Sequence, residues 1–319
     1  MTVKEVLHQI GRVPVYFHSH GGNHGDTLIR VATDLVLQDA GTFLVDSPNQ
    51  ADVILLRGGG FWGVNLWQKH FEVLREYTLG YPDKRIIILP GSFLFDGPDF
   101  ARLFDGRTAP AILFARERYS HKLIQSQMYS SDVTCLLDHD MAFALEDTEF
   151  LKNLKVKSSE ENLLLVERFD PEGDLPIQDP AVINYILGKL PYHLRYGIAR
   201  RMHSRKVRGS SFSSEALWAV HKSYPHLRNL PVLAQDIQSK LSFNFKAYLD
   251  AISRAAVVVS TRLHVSILAV LLGKKTFIKF GPANYGKIKG VYEYSMTKFE
   301  HLHVLELRGK SSDLYLPQK

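Results

Sequence analysis

Short apolar runs alternate with segments of helical periodicity along most of the chain. The clearest runs are VPVYFH (13–18), ADVILLR (51–57), RIIILP (85–90), AILFAR (111–116), VTCLLD (133–138), AVVVS (256–260) and KTFIKFG (275–281). Apolar strands separated by helices are typical of a parallel sheet whose two faces are both covered. The pattern therefore predicts the α/β class.

The alternation is interrupted by a charged stretch, FALEDTEFLKNLKVKSSEEN (143–162), which has no strand signal. We place a domain boundary near residue 155, which divides the chain into residues 1–155 and 156–319. A chain of 319 residues is long enough for two domains. The simplest arrangement is two Rossmann-like α/β domains with a cleft between them. Residues 171–232, rich in Pro, Arg and His, predict no clear element.

The bulk properties favour anionic partners and a reducing compartment. The net charge is +6 and the isoelectric point is about 9.2, a balance that attracts nucleic acid, acidic membrane or phosphorylated small molecules. The single cysteine, Cys135, cannot form an internal disulfide. The sequence contains neither an apolar run of spanning length nor the core of a signal peptide, so we expect a cytoplasmic protein.

The first strand-to-helix turn, SHGGNHGD, is rich in glycine and polar side chains. A helix is predicted from Thr27 to about Ala40. Ligands bind at the carboxyl ends of strands in open α/β sheets, and Asn23, His24 and Asp26 are placed at that edge. A role for Asp26 as the helix N-cap explains that residue equally well.

The second glycine-rich segment, GGGFWG (58–63), formally matches G-x-G-x-x-G after a strand. A dinucleotide site also needs an acidic residue at the end of the next strand, and Asp83 lies before that strand. We therefore interpret the segment as a backbone turn. Its glycines, Gly59 and Gly60 among them, would let a ligand or another chain segment approach closely.

The sharpest signal is STRLH (260–264), where an apolar strand runs into an apolar helix. If Ser260 or Thr261 caps the helix, Arg262 and His264 lie in its first turn and Leu263 faces the core. Free N–H groups and the helix dipole make such a terminus an anion site, and a guanidinium adds a bidentate grip. The alternative is a surface arginine beside a histidine whose hydrogen bonds are made within the core.

Three further strand ends carry chemistry-bearing side chains. Arg116 ends the strand AILFAR, Asp140 follows VTCLLD, and Lys287 lies in the basic loop GPANYGKIKG after KTFIKFG. A solvated basic loop is an equally good interpretation of the last. His139 beside Asp140 would suit a metal, but no second cluster has ligand spacing, so no metal is expected.

Taken in order, seven segments resemble the polysaccharide pyruvyl transferase family. They are GNHGDTLI, ADVILLRGGGFW, FARERYS, DHDMAFAL, VERFDPE, AVVVSTRLHVSILAVLLGKK and ANYGKIKGVYEY, which together span residues 22 to about 294. The last two segments are the most specific. The family's Arg-Leu-His signature stands here at residues 262–264. One departure is RER at 116–118, where many relatives have Arg-Asp and this chain has Glu117.

The resemblance implies a two-domain GT-B-type architecture and a ketal-forming transferase. Its members transfer the enolpyruvyl unit of phosphoenolpyruvate to a sugar, form a pyruvate ketal and release phosphate, without a nucleotide-sugar donor. No cofactor is implied beyond phosphoenolpyruvate as donor substrate. The acceptor would be a sugar residue of an exopolysaccharide or of its lipid-linked precursor.

The resemblance also assigns expected roles to residues. Residues 1–155 would form the acceptor side, and 156–319 would bind the donor. Donor binding falls to Arg262, Leu263, Arg116 and Lys287. His264 would act as the acid or contact the phosphate, and Asp26 would act as the base. The remaining residues, expected to contact the acceptor or to line the cleft, are Asn23, His24, Gly59, Gly60 and Asp140.

Two rival functions are weaker. A glycosyltransferase with a nucleotide-sugar donor would need a carboxylate for the ribose after the second-half helix, and VSILAVLLGKKTFIKFGPANYG contains none. A nucleic-acid-binding protein would need a recognisable module around RYGIARRMHSRKVRG, and none is present. We expect no nucleic-acid partner. This segment, with Arg200, Arg201 and Arg205, is instead predicted to contact the inner membrane leaflet or the acceptor's phosphates.

Overall fold

The structure is a computed structural model that describes residues 1–19, 21–63, 68–95, 99–168, 189, 191–238, 240, 243–280 and 285–305. Within these residues, the chain builds two parallel sheets in succession. The predicted α/β class, with two parallel Rossmann-like sheets, is therefore confirmed.

The first sheet has seven strands in the order β2-β1-β3-β5-β6-β7, with β4 added to the second part of β5. The strands are β1 (Pro14–His18), β2 (Phe43–Val45), β3 (Val53–Leu56), β4 (Gly59–Gly63), β5 (Arg85–Leu94), β6 (Ala111–Ala115) and β7 (Val133–Leu137). All their pairings are parallel. Central strands such as β3 are buried at every position, which explains their continuous apolar sequence.

Helices cover both faces of this sheet. They are α1 (Val3–Ile10), α2 (His24–Asp39), α3 (Gln68–Gly80), α4 (Asp99–Arg102), α5 (Arg118–Gln125) and α6 (Glu149–Val156), with 3₁₀ turns at Pro48–Gln50 and Met141–Leu145. One apolar cluster joins α1 and α2 to the sheet, and another joins α3 and α4 to its opposite face. The sheet edge at the strands' carboxyl ends therefore stays available for a site.

The second sheet has five parallel strands in the order β12-β11-β10-β8-β9. They are β8 (Asn162–Val166), β9 (Val232–Ala234), β10 (Ala255–Ser260), β11 (Lys275–Ile278) and β12 (Leu302–Val304). The helices of this half are α7 (Tyr192–Arg208), α8 (Ser211–Ser223), α9 (Phe245–Ser253), α10 (Leu263–Leu271) and α11 (Tyr285–Val291), with a 3₁₀ turn at Pro225–Leu227 and a π-helix at Tyr292–Met296.

The two halves share an apolar core. One cluster of buried side chains combines Leu28 and Ala32 of α2 with Val258 of β10 and Leu268 of α10. The chain passes from the first sheet to the second between β7 and β8, and the boundary near residue 155 stays a prediction.

Several local predictions were wrong. The helix predicted from Thr27 begins at His24, and its N-cap is Asn23 rather than Asp26. The segment GGGFWG does not form a turn, because Gly59–Gly63 pairs with β5 as a strand. The strand around Cys135 is half-buried, although its continuous apolar sequence, VTCLLD, predicted a strand covered on both faces. Residues 192–223, which predicted no clear element, form two helices.

Among the helices that the structure describes, none is long and apolar enough to cross a membrane.

Candidate active site

Side chains from several strand ends of the first sheet converge with the start of α10. Parallel strands all point their carboxyl ends to one edge, so residues just past each strand become neighbours although they are far apart in sequence. The residues brought together there are Asp26, Arg57, Ser92, Arg116, Asp140 and His264.

Asp26 lies in the first turn of α2, where two of its interactions hold the carboxylate. One oxygen accepts the backbone N–H of Asn23 at 2.8 Å, and the Asn23 side chain caps the same turn. The other oxygen lies 3.2 Å from a guanidinium nitrogen of Arg57. Burial alone raises the pKa of the carboxyl, but Arg57, His264, the Asn23 N–H and Lys287 outweigh burial, so the pKa is lowered. Asp26 is therefore ionised at neutral pH.

Asp140 and Arg116 form a fully buried ion pair. The Nη1 atom of Arg116 donates to Asp140 Oδ2 at 2.6 Å, and both side chains are 0% exposed. Arg116 Nε donates to Ser92 Oγ at 2.9 Å, and Asp140 Oδ1 accepts the Ala142 N–H at 2.9 Å. Arg116 Nη2 has no hydrogen-bond partner among the described residues. One donor of this guanidinium is thus buried without a hydrogen-bond acceptor among the described residues.

His264 reaches this pair from the second half of the chain. Its Nε2 atom lies 3.4 Å from Asp140 Oδ2. Burial raises the pKa of the Asp140 carboxyl, but attraction to His264 and Arg116 and the Ala142 N–H more than reverse that effect, so the pKa is held well below its ordinary value. The histidine is thereby oriented by a carboxylate that stays ionised.

Arg262 is the N-cap of α10, not a first-turn residue. Its backbone N–H donates to Ser260 Oγ at 2.8 Å. Its Nε and Nη2 atoms donate to the two carboxylate oxygens of Asp236, at 3.1 Å and 2.5 Å. The residue is only 4% exposed, so this bidentate contact is a buried ion pair. The prediction that Ser260 or Thr261 caps the helix was therefore wrong.

Leu263 is buried in the core that the two halves share, and it faces the core as the sequence predicted. Its neighbours in that core include Leu28 of α2. It follows that Leu263 anchors the start of α10 by packing.

Asn23 and His24 face the second half of the chain. The Asn23 side-chain oxygen accepts a hydrogen bond from Gln238 Nε2 at 2.6 Å. His24 Nε2 lies 2.6 Å from the carbonyl oxygen of Phe243, and its ring packs near Tyr248. Burial lowers the pKa of His24, which favours the neutral ring. These two residues join the halves beside the site.

Gly59 and Gly60 of β4 differ in how closely neighbouring side chains approach them. Gly59 has a φ of 104°, a conformation that favours glycine, and a Cβ there would lie 2.8 Å from Ile29 Cδ1. Gly59 therefore permits the close approach of β4 to α2. At Gly60 the nearest atom to a Cβ would be His70 Cε1 at 3.8 Å, an ordinary contact.

Lys287, in α11, is half-buried and lies near enough to Asp26 to lower the pKa of that carboxyl. This contribution adds positive charge to the same edge. Residues 281–284 of the predicted basic loop lie outside the described residues.

Glu117 caps α5. Its carboxylate accepts the N–H groups of Tyr119 and Ser120, at 2.7 Å and 3.0 Å. Burial raises the pKa of the Glu117 carboxyl. The departure from the Arg-Asp pattern of many relatives thus leaves a carboxylate that fulfils a capping role at a helix N-terminus.

The sequence reasoning missed Arg57, Ser92, Asp236 and Gln238. Arg57 directly follows β3, and Asp236 and Gln238 follow β9. The position of Arg57, Asp236 and Gln238 just past a parallel strand was the signal that could have found them, whereas Ser92 lies within β5 and gave no such signal.

The arrangement contains a carboxylate and a histidine, which can transfer protons. Beside them lie two buried guanidinium groups, which can hold an anion. Within the described ranges, no group of three or more His, Cys, Asp or Glu side chains could hold a metal ion. The chemistry that these residues support is acid–base catalysis on an anionic substrate.

Comparison with solved structures identifies a similar fold. A functionally uncharacterised protein from Klebsiella pneumoniae aligns over 95% of both chains with a TM-score of 0.58 and 18% identity. An E. coli heptosyltransferase, solved with ADP-2-deoxy-2-fluoro heptose, aligns over 91% of this chain and 92% of its own. Its identity is 11% and its TM-score of 0.33 is too low to establish a shared fold.

Comparison of sequences identifies the family. No curated protein matches the chain significantly. The sequence model of the polysaccharide pyruvyl transferases, however, matches residues 23–278, a range that contains the buried pairs of the site. The chain therefore belongs to the polysaccharide pyruvyl transferase family.

Proposed function

We propose that this protein transfers the enolpyruvyl unit of phosphoenolpyruvate to two hydroxyls of one sugar residue, forming a pyruvate ketal and releasing phosphate. The observation that carries the proposal is the meeting of His264, Asp140 and Asp26 with the buried guanidinium groups of Arg57 and Arg116. The site thus offers proton-transfer groups and cations to a donor that carries a carboxylate and a phosphate.

The donor's negative charges would be held chiefly by cations of the first half and α11. Arg116 contributes a buried Nη2 donor that lacks a protein partner among the described residues, and Lys287 lies near Asp26. Arg262 is committed to Asp236, so we assign it a supporting role: it holds the start of α10. The free N–H groups and dipole of that helix end favour an anion, while Leu263 fixes it by packing.

The reaction requires one proton to be added and two to be removed. Protonation of the donor's methylene carbon creates an oxocarbenium-like centre at C2. One sugar hydroxyl attacks C2 and loses its proton, which balances the proton given to carbon. The C2–O bond to phosphate then breaks and the second hydroxyl closes the ring. The proton of that second hydroxyl leaves with the departing phosphate as hydrogen phosphate. We assign His264 as the acid that protonates carbon and Asp26 as the base that receives the hydroxyl proton. The lowered pKa of Asp26 keeps its carboxylate in the ionised form that a base needs, although it also makes that carboxylate a weaker base.

Phosphate release from phosphoenolpyruvate tests this function, measured with and without a panel of lipid-linked and aryl glycosides. We expect acceptor-dependent release with at least one glycoside. Calorimetry should show binding of phosphoenolpyruvate rather than of nucleotide sugars. Nucleotide-sugar binding without phosphate release would instead favour a glycosyltransferase.

We also propose that the acceptor is lipid-linked and is met at the cytoplasmic face of the membrane. One side of α7 carries two exposed aliphatic residues, Leu194 (50%) and Ile198 (43%). At 3.6 residues per turn, exposed Arg201, Arg205 and Arg208 continue the same side. An apolar and basic helix face suits an anionic lipid surface.

Liposome sedimentation with anionic vesicles tests this contact. Replacing Arg201, Arg205 and Arg208 with Ala should weaken binding, whereas a control that removes Lys152 and Lys246 from other exposed surfaces should weaken it less. Arg200 is left in place because its guanidinium lies over the Phe243 ring, 5.2 Å from the centroid. Equal binding by both variants would contradict the assignment.

A further inference from the structure

The start of α2, which carries Asp26, is fastened to the second half of the chain by three hydrogen bonds. The backbone N–H of His24 donates to the carbonyl of Gln238 at 3.1 Å. Gln238 Nε2 donates to the Asn23 side chain at 2.6 Å, and His24 Nε2 lies 2.6 Å from the Phe243 carbonyl oxygen. Two of these three contacts involve Gln238.

Packing at Gly25 places Gln238 and His264 side by side. A Cβ on Gly25 would overlap Gln238 Nε2 and would lie 2.5 Å from His264 Nδ1. The amide and the imidazole therefore both rest against the backbone of the residue that precedes Asp26. A movement of Gln238 would change the space in which the imidazole sits.

Gln238 is poorly suited to a purely structural role. It is 4% exposed, and its Oε1 atom has no hydrogen-bond partner among the described residues. A buried polar atom left without a partner is unfavourable for folding. An apolar side chain of similar length would fill the position without that penalty, so the amide's donor points to a functional reason for Gln238.

We propose that Gln238 is a positioning residue that fixes the start of α2, and with it Asp26, against His264. The proposal rests on the proposed function in that Asp26 and His264 are taken as base and acid. Gln238 itself acts through Asn23 and through its packing beside His264.

The variant Gln238→Met separates packing from hydrogen bonding, because Met has similar length but cannot donate to Asn23. We expect kcat for phosphate release to fall about tenfold, since a small misplacement of reacting groups is costly. KM for phosphoenolpyruvate should change by less than about twofold, because the donor's cations are untouched. The thermal midpoint should stay equal or rise, since the unpartnered oxygen is removed. A merely structural glutamine would make activity and stability fall together.

A double-mutant cycle with Asn23→Ala locates the effect. If the two residues act through the hydrogen bond between them, the double variant Asn23→Ala/Gln238→Met should have a kcat no lower than that of the less active single variant. The control is Gln38→Ala, at an exposed position of α2. The proposal is overturned if Gln238→Met keeps kcat within about twofold of that control, or if the two effects simply multiply.

Amide hydrogen exchange keeps the test independent of the reaction. If the wild-type protein releases no phosphate with any acceptor, the proposed function fails but the fastening of α2 can still be measured. Gln238→Met should then speed exchange at the first amides of α2 by about tenfold over Gln38→Ala, which corresponds to the loss of about one hydrogen bond. Unchanged protection there would overturn the positioning role.

Discussion

The Nε2 atom of His264, in the second half of the chain, lies 3.4 Å from Oδ2 of Asp140, in the first half. The same carboxylate oxygen accepts a 2.6 Å hydrogen bond from Arg116. The histidine of the Arg-Leu-His signature is therefore oriented by a carboxylate 124 residues earlier in the chain. An acid–base role for His264 depends on the way in which the halves pack.

His264→Gln should lower the turnover for phosphate release by at least about tenfold, because Gln can still contact Asp140 but cannot give up a proton near neutral pH. Phosphate release under saturating donor measures the effect. His226→Gln, at an exposed position, is the matched control. Near-full activity of a well-folded His264→Gln protein would show that His264 does not transfer the proton.

Asp140→Asn should destabilise the protein by about 3–5 kcal/mol, because it leaves the Arg116 guanidinium buried without its counter-charge. Urea unfolding monitored by circular dichroism gives the free energy of unfolding. Glu149→Gln makes the same chemical change in an exposed pair with Lys152, and it should leave the unfolding midpoint essentially unchanged. Similar midpoints for the two variants would contradict the importance of the buried pair.

Stability should decrease as the pH falls below the ordinary carboxyl pKa of 3.8, because the pKa values of Asp26 and Asp140 are both lowered in the folded chain. The unfolded state then binds protons more readily than the folded state, so acid favours unfolding. Above that pKa, the stabilising contribution of the two carboxylates is fully present. The free energy of unfolding, determined at a series of pH values from neutral to about 3, measures how stability depends on pH. Asp140→Asn should show a shallower decrease, and an unchanged slope would argue against the contribution of Asp140.

Gly25→Ala should destabilise the protein by about 1–3 kcal/mol, because the added Cβ overlaps Gln238 and presses on His264. Activity should fall as well, since the imidazole is displaced. Thermal unfolding and phosphate release check both effects. Gly80→Ala is the control, because a Cβ there meets nothing within 4 Å. Equal behaviour of the two variants would show that α2 has room to move.

Arg262→Lys should destabilise the protein by about 1–3 kcal/mol, because an ammonium cannot reproduce the two-pronged contact with both oxygens of Asp236. Chemical unfolding measures the loss. Arg254→Lys, in a loose and exposed pair with Glu161 at 3.7 Å, should cost little. A lysine variant as stable as wild type would indicate that the guanidinium's geometry is not needed to hold the start of α10.

Much of the fold followed from local pattern. Strand β3 is apolar throughout and β10 is apolar up to its last residue, Ser260, so the hydrophobic pattern predicted both the strands and the parallel class. The short strands β2, β9 and β12 were not predicted, because three residues are too few to show a period. The strand character of Gly59–Gly63 was missed because its glycines suggest a turn, and only pairing with β5 makes the segment a strand.

For the site, the sequence by itself determined which residue types stand at the strand ends, including Asp26, Arg116, Asp140 and His264. Only the tertiary structure decided their partners. It joined His264 to Asp140, committed Arg262 to Asp236 and brought Arg57 to Asp26. The physical reason is that the charged side chains of Arg57, Asp140, Asp236 and Arg262 are buried, and a buried charge requires a partner. That partner comes from whichever element packs nearby, which separation along the chain does not reveal.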